Sequence, residues 1–186
     1  MPANTAVQKQ ILSSALRSVF LRSGYAGASV SRLAAATELG KASLYHYFPG
    51  GKEEMAASLL RETVAHLQQQ VFAQLSRHAD PEEAICQCID AFVDYGEGNQ
   101  LNCLIAQFAL ENAPVLEREQ IAAQFEDWQR QLSVRFEDLD LKPKAARKAA
   151  RQLLAELYGA LLMANLLGQP KELRRAAKRL KTSLSE

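Results

Sequence analysis

Apolar positions fall on a helical period near the start of the chain. Ile11, Leu12, Ala15, Leu16, Val19 and Phe20 recur at i, i+1, i+4, i+5, i+8 and i+9, the single stripe of an amphipathic helix. Gly24 stands where a C-terminal glycine ends such a helix. Ser29 then predicts an N-cap for a short helix over Val30–Ala36, with Val30, Leu33 and Ala34 turned inward. The period breaks over 37–40. A third short helix follows over 41–48, with Leu44 and Phe48 four apart on its buried side, and Pro49-Gly50-Gly51 stops it.

The rest of the chain reads as longer helices. One covers 52–77, opening on Glu53-Glu54 and closing on Arg77-His78, charges that suit the two ends of a helix dipole. Asp80-Pro81-Glu82-Glu83 is a compact start signal for a helix running to about residue 96. Further helices are expected over 102–111, over 114–139 behind Pro114, over 143–167 behind Pro143, and over 170–184 behind Pro170. The 143–167 helix is apolar almost all round from Leu153 onward, and Gly168 ends it. The fold class expected is all-α.

Composition agrees with that reading. The 186 residues are 48% apolar and 23% charged, with nine Gly and six Pro, so a normal core is available. The longest apolar stretch, 153–167, contains Glu156 and Asn165 and is too short to span a bilayer. The first ten residues hold no apolar signal segment. Three Cys without zinc-type spacing point to a reducing, cytoplasmic setting, and no metal or cofactor is expected.

Charge is sharply segregated behind a formal total of +1. Residues 1–52 carry six basic side chains against one acid, Glu38, a net +5. Residues 53–141 carry a net −12, and residues 142–186 a net +8. The N-terminal excess suits a polyanion, and the C-terminal block reads as solvated basic helix faces.

Three helices within fifty residues, the last two short and joined by a tight turn, form a helix-turn-helix pattern. The first helix supplies the core that holds the other two, and the third then projects its polar side outward, where it fits a major groove. That side carries Lys41, Ser43, Tyr45, His46 and Tyr47, with no carboxylate to oppose phosphates. An enzyme is disfavoured. No Gly-rich phosphate loop, HExxH, metal-ligand cluster or Ser/His/Asp spacing is present.

The stretch from Phe20 to Phe48, with Gly24-Tyr25, Ser29-Val30, Leu44-Tyr45-His46-Tyr47-Phe48 and then Lys52-Glu53-Glu54, resembles the DNA-binding domain of the TetR/AcrR family of transcriptional regulators. The longer Pro49-Gly50-Gly51 connection and Asn102-Cys103-Leu104 are similar to its LmrA/YxaF-like branch. The resemblance implies a homodimer of roughly nine helices per chain. A DNA-binding domain is expected over 1–50 and a helical ligand-binding and dimerisation domain over 51–186. The 143–167 and 170–184 helices would pair with their mates. It further implies double-stranded DNA with a palindromic operator as partner, and a small-molecule effector. Two positions depart from the family pattern: Glu38 and Gly40 stand where a glycine and a Ser or Pro cap are usual. A helical interaction module that has lost DNA binding is therefore the alternative.

By motif position, Lys41, Ala42, Ser43, Tyr45 and His46 would face base edges or adjacent sugars. Ser31, Arg32, Tyr47 and Lys52 would hold phosphates, and the small side chain of Ala42 would let the helix seat. Phe92, Tyr95, Cys103, Gln107, Phe108, Phe125, Trp128 and Tyr158 combine aromatic surface with a few polar atoms, the make-up of an effector site. The same residues at helical spacing also suit a plain core.

Overall fold

The computed structural model describes residues 2–115 and 117–184; Met1, Leu116, Ser185 and Glu186 lie outside the described residues. Every regular element among them is helical: α1 (Pro2–Gly27), α2 (Val30–Ala36), α3 (Lys41–Tyr47), α4 (Gly51–His66), a π-helical turn (Leu67–Phe72), α5 (Gln74–Arg77), α6 (Pro81–Gly98), α7 (Leu104–Leu110), α8 (Arg118–Asp138), α9 (Pro143–Leu167) and α10 (Lys171–Thr182). Counting 51–77 as one interrupted rod gives nine helices among the described residues. None of them is long and apolar enough to cross a membrane.

The chain forms two compact units. The first comprises residues 1–64 with 103–117, and the second 65–102 with 118–186. The first thus takes in most of α4 and, from far along the chain, α7.

In the first unit, Leu12, Leu16, Val19 and Phe20 of α1 are buried, as are Leu33 and Ala34 of α2, Leu44 of α3 and Met55, Ala56 and Leu59 of α4. Ile11 departs from the expected stripe and is 66% exposed, because it lies at the edge of the arc centred on Leu12 and Leu16. Val30 and Phe48 are only half-buried. Ser29 caps α2 as its position predicts, its hydroxyl accepting the Arg32 N–H at 3.3 Å. Gly24 kinks α1 at φ 66° and ψ 179° without ending it, and helical hydrogen bonding continues to Gly27. The link between α1 and α4 was not legible from periodicity. Arg17 donates to Thr63 Oγ1 at 2.5 Å and pairs with Glu62 at 3.5 Å, while Ser13 donates to Glu62 at 2.9 Å. Thr63 is 1% exposed; its hydroxyl donates to the Leu59 carbonyl at 2.8 Å and accepts from Arg17, so both sides of the buried group are satisfied.

In the second unit, α6 begins on the Asp80 cap, whose carboxylate accepts the Glu83 N–H at 2.7 Å. Its buried face, with Ile85, Cys88, Ile89 and Phe92, shares the unit's core with Trp128 and Leu132 of α8 and with Leu153, Leu157 and Leu161 of α9. Burial pushes the Cys88 thiol up to about 12, which leaves it unreactive. The basic C-terminal block is not simply solvated. Arg174 forms a two-pronged pair with Glu97 at 2.6 and 2.8 Å, and Lys181 meets Asp90 at 2.6 Å, tying α10 to the acidic side of α6. On α9 the apolar circumference divides. Leu154, Leu157, Leu161 and Ala164 are buried, whereas Leu162, Met163, Leu166 and Leu167 are 43–69% exposed. The helix expected from Pro114 begins only at Arg118, because the backbone turns left-handed at Asn112 and buries Ala113 and Val115 first.

The continuous helix expected over 52–77 is interrupted by the π-helical turn, where Ala73 N–H reaches the Gln68 carbonyl, five residues back, at 2.9 Å. Side chains of α8 engage the widened turn. Trp128 Nε1 donates to Gln68 Oε1 at 2.8 Å and the indole stacks on Phe72 at 4.3 Å, so one ring engages two residues of the turn.

Candidate nucleic-acid interface

The third helix presents a divided surface. Leu44 is fully buried, while Lys41, Ala42, Ser43, Tyr45, His46 and Tyr47 are all exposed. This face offers an ammonium, a hydroxyl, an imidazole and two phenols, with no carboxylate among them. The His46 and Tyr47 rings meet edge to face at 5.9 Å.

The turns on either side set how α3 projects. Thr37 donates its hydroxyl to the carbonyls of Leu33 and Ala34 at 2.9 and 3.1 Å, closing α2. Glu38 then adopts φ 55°, a left-handed conformation, and Gly40 caps α3 with no side chain to contribute. A non-glycine residue held there costs about 1 kcal/mol. Glu38→Gly is therefore expected to raise stability to chemical denaturation by about 0.5–1 kcal/mol, measured by urea unfolding; a loss of stability would contradict this account of the turn.

After α3 the chain doubles back through Pro49-Gly50-Gly51. Gly51 holds φ 65°, and a Cβ there would stand 3.2 Å from Tyr45 Cε1, so this glycine serves both the turn and the tyrosine packed over it. Gly51 has no side chain with which to cap α4; Glu54 in the first turn reaches back, its carboxylate accepting the Gly50 N–H at 2.7 Å.

Ser31 is exposed on α2. Arg32 is exposed too, with its guanidinium donating to the Gly27 carbonyl at 3.1 Å. Lys52 is half-buried; its ammonium donates to the Tyr25 carbonyl at 3.0 Å and sits 4.3 Å above the Tyr25 ring. Burial, then the Glu53 charge, push the Tyr25 phenol up, keeping it neutral beneath the cation. Both basic groups are thus anchored to the end of α1, which fixes where their remaining N–H donors lie.

The eight residues with effector-site chemistry separate between the two units. Phe92, Tyr95, Phe125, Trp128 and Tyr158 lie in the second, as a connected set of rings with centroids 4.9–6.0 Å apart. Cys103, Gln107 and Phe108 lie in the first. Phe108 is fully buried there, edge-on to Phe20 at 5.6 Å and to Tyr25 at 5.8 Å. Gln107 donates to Glu111 at 2.7 Å. Two residues that periodicity did not single out therefore matter to local geometry: Gln68 under the indole, and Glu111 beside Gly24.

Comparison with known proteins fits this surface. The family model of bacterial regulatory proteins, tetR family, matches residues 11–59, and that of the transcriptional regulator LmrA/YxaF-like C-terminal domain matches residues 81–179. The chain belongs to the LmrA/YxaF-like branch of the TetR family. It is 25% identical to the HTH-type transcriptional regulator LmrA of Bacillus subtilis over 162 residues, covering 84% of this chain and 85% of that protein. It is 37% identical to the uncharacterized HTH-type transcriptional regulator YxaF of the same organism over 81 residues, 42% of this chain and 40% of YxaF. Its fold is similar to a TetR transcriptional regulator from Chloroflexus aurantiacus, with TM-score 0.79 and 23% identity, over 100% of this chain and 98% of the other. A TetR regulator from Legionella pneumophila aligns with TM-score 0.78 and 22% identity, over 94% and 96% of the two chains. This TetR-family chain is accordingly a DNA-binding transcriptional regulator, and its family is one of regulators and not of enzymes.

Proposed function

We propose that the protein is a homodimeric, cytoplasmic repressor that a small-molecule effector releases from a palindromic operator. Lys41, Ala42, Ser43, Tyr45 and His46 read bases and nearby sugars, and Ser31, Arg32, Tyr47 and Lys52 hold phosphates. The observation that carries this reading is the acid-free, exposed polar face of α3 above a buried Leu44. The exposed Leu162, Met163, Leu166 and Leu167 support pairing through α9 and α10, since a contiguous apolar face of this kind marks an interface. Two reading heads related by a two-fold axis then require a symmetric site.

Effector control follows from linkage. A ligand that prefers a conformation with wrongly spaced heads weakens DNA binding, and DNA weakens ligand binding by the same factor. The ring cluster of Phe92, Tyr95, Phe125, Trp128 and Tyr158 has the chemistry for such a ligand.

Two variants separate the roles assigned to α3 and Lys52. Lys52→Ala is expected to weaken binding to every duplex alike and to lower the salt slope by roughly one. His46→Ala is expected to change base preference more than general affinity. Fluorescence anisotropy across a salt series, on selected and scrambled duplexes, measures both. Equal losses on all sequences for His46→Ala would reassign that residue to the backbone, and an unchanged slope for Lys52→Ala would remove it from the phosphate set.

A further inference from the structure

The first unit contains a connected path from α7 to Lys52. Gln107 Nε2 donates to one oxygen of the Glu111 carboxylate at 2.7 Å, and the backbone N–H of Ala26 donates to the other at 3.1 Å. The carboxylate occupies the space that a side chain on residue 24 would fill: a Cβ on Gly24 would come within 2.5 Å of the Glu111 carboxyl carbon. Between Gly24 and Ala26 lies Tyr25, whose carbonyl accepts from Lys52 at 3.0 Å and whose ring lies 4.3 Å beneath the same ammonium. Phe108, one turn before Glu111, packs edge-on against that ring at 5.8 Å.

We propose that Glu111 is a positioning residue for DNA binding. It fixes the kinked peptide around Gly24 and Ala26, and through Tyr25 it sets where the Lys52 ammonium is held. A charged acceptor makes a stronger bond to a backbone N–H than a neutral one, and both of its oxygens are engaged, so the α1 terminus is pinned at this point. Gln107, which has the chemistry of an effector contact, orients the carboxylate instead. The proposal rests on the reading of Lys52 as a phosphate contact.

The test compares Glu111→Ala with Glu111→Gln, each made with and without Lys52→Ala, titrated with a random-sequence duplex over a salt series. Both substitutions remove the charge, but only glutamine keeps an acceptor for the Ala26 N–H, so their ratio isolates positioning from electrostatics. Alanine is expected to bind about five-fold more weakly than glutamine in the native background and to show the smaller salt slope. In the Lys52→Ala background the two are expected to agree within about 1.5-fold, because the coupling has lost its endpoint. A ratio of one in the native background, or a ratio that Lys52→Ala leaves unchanged, overturns the proposal. If Lys52→Ala itself alters neither affinity nor slope, the Lys52 reading fails, a different outcome. Gln107→Leu, which leaves Glu111 and its bond to Ala26 in place, is expected to repeat the pattern at smaller size, and guards against misfolding of the alanine variant.

Discussion

Gly24→Ala is expected to destabilise the first unit by about 3 kcal/mol. Two causes add. At φ 66° and ψ 179° the backbone lies in a region that is essentially restricted to glycine. The new Cβ also falls within 2.5 Å of the Glu111 carboxyl carbon, so the carboxylate must leave its bonds to Ala26 and Gln107. Urea unfolding followed by hydrogen exchange over α1–α3 measures the loss. Adding Glu111→Ala is expected to return the steric part and not the backbone part. A cost under about 0.5 kcal/mol for Gly24→Ala would mean that the kink is not required.

Ala42→Glu is expected to produce the largest loss of function, a fall of about 100-fold in affinity for duplex DNA with no loss of thermal stability. Ala42 is exposed in the first turn of α3, where an acid is favourable for the helix itself, so unfolding does not account for the effect. In the complex the new carboxylate enters a groove edged by phosphates, where like-charge repulsion opposes it and it competes with the DNA for the Lys41 and His46 side chains of the same face, at a cost of several kcal/mol. Ala42→Gln separates charge from bulk and is expected to lose less. Anisotropy titration reports both, with circular dichroism as the control on folding. An affinity for Ala42→Glu within three-fold of native would take α3 out of the groove.

The parts of this structure that were legible in the sequence are those held by neighbours along the chain. Ser29 and Asp80 cap their helices through an N–H three residues on, and Leu33 and Leu44 are buried where the helical period put them. The exposed face of α3 follows from the same period. What stayed hidden depends on partners far away. Gly24 looks like a helix stop from its neighbourhood, yet hydrogen bonding carries through the kink to Gly27, and the carboxylate that accepts the Ala26 N–H beside it belongs to Glu111, 87 positions after Gly24. Cys103, Gln107 and Phe108 share the composition of the ring cluster yet fold with the first three helices, because Phe108 packs against Phe20 and Tyr25. The π-helical turn is held against Trp128, a partner that no pattern within 67–72 announces. The basic side chains of α10 read as solvated until α6 brings Glu97 and Asp90 beside them.

The central claim is that a paired molecule reads duplex DNA through the outward face of α3, and sequence selection from a random duplex pool tests it most directly. At low ionic strength the native protein is predicted to enrich one motif with two inverted half-sites. Enrichment of an unsymmetric motif, or no enrichment while the folded protein is present in excess, would contradict it.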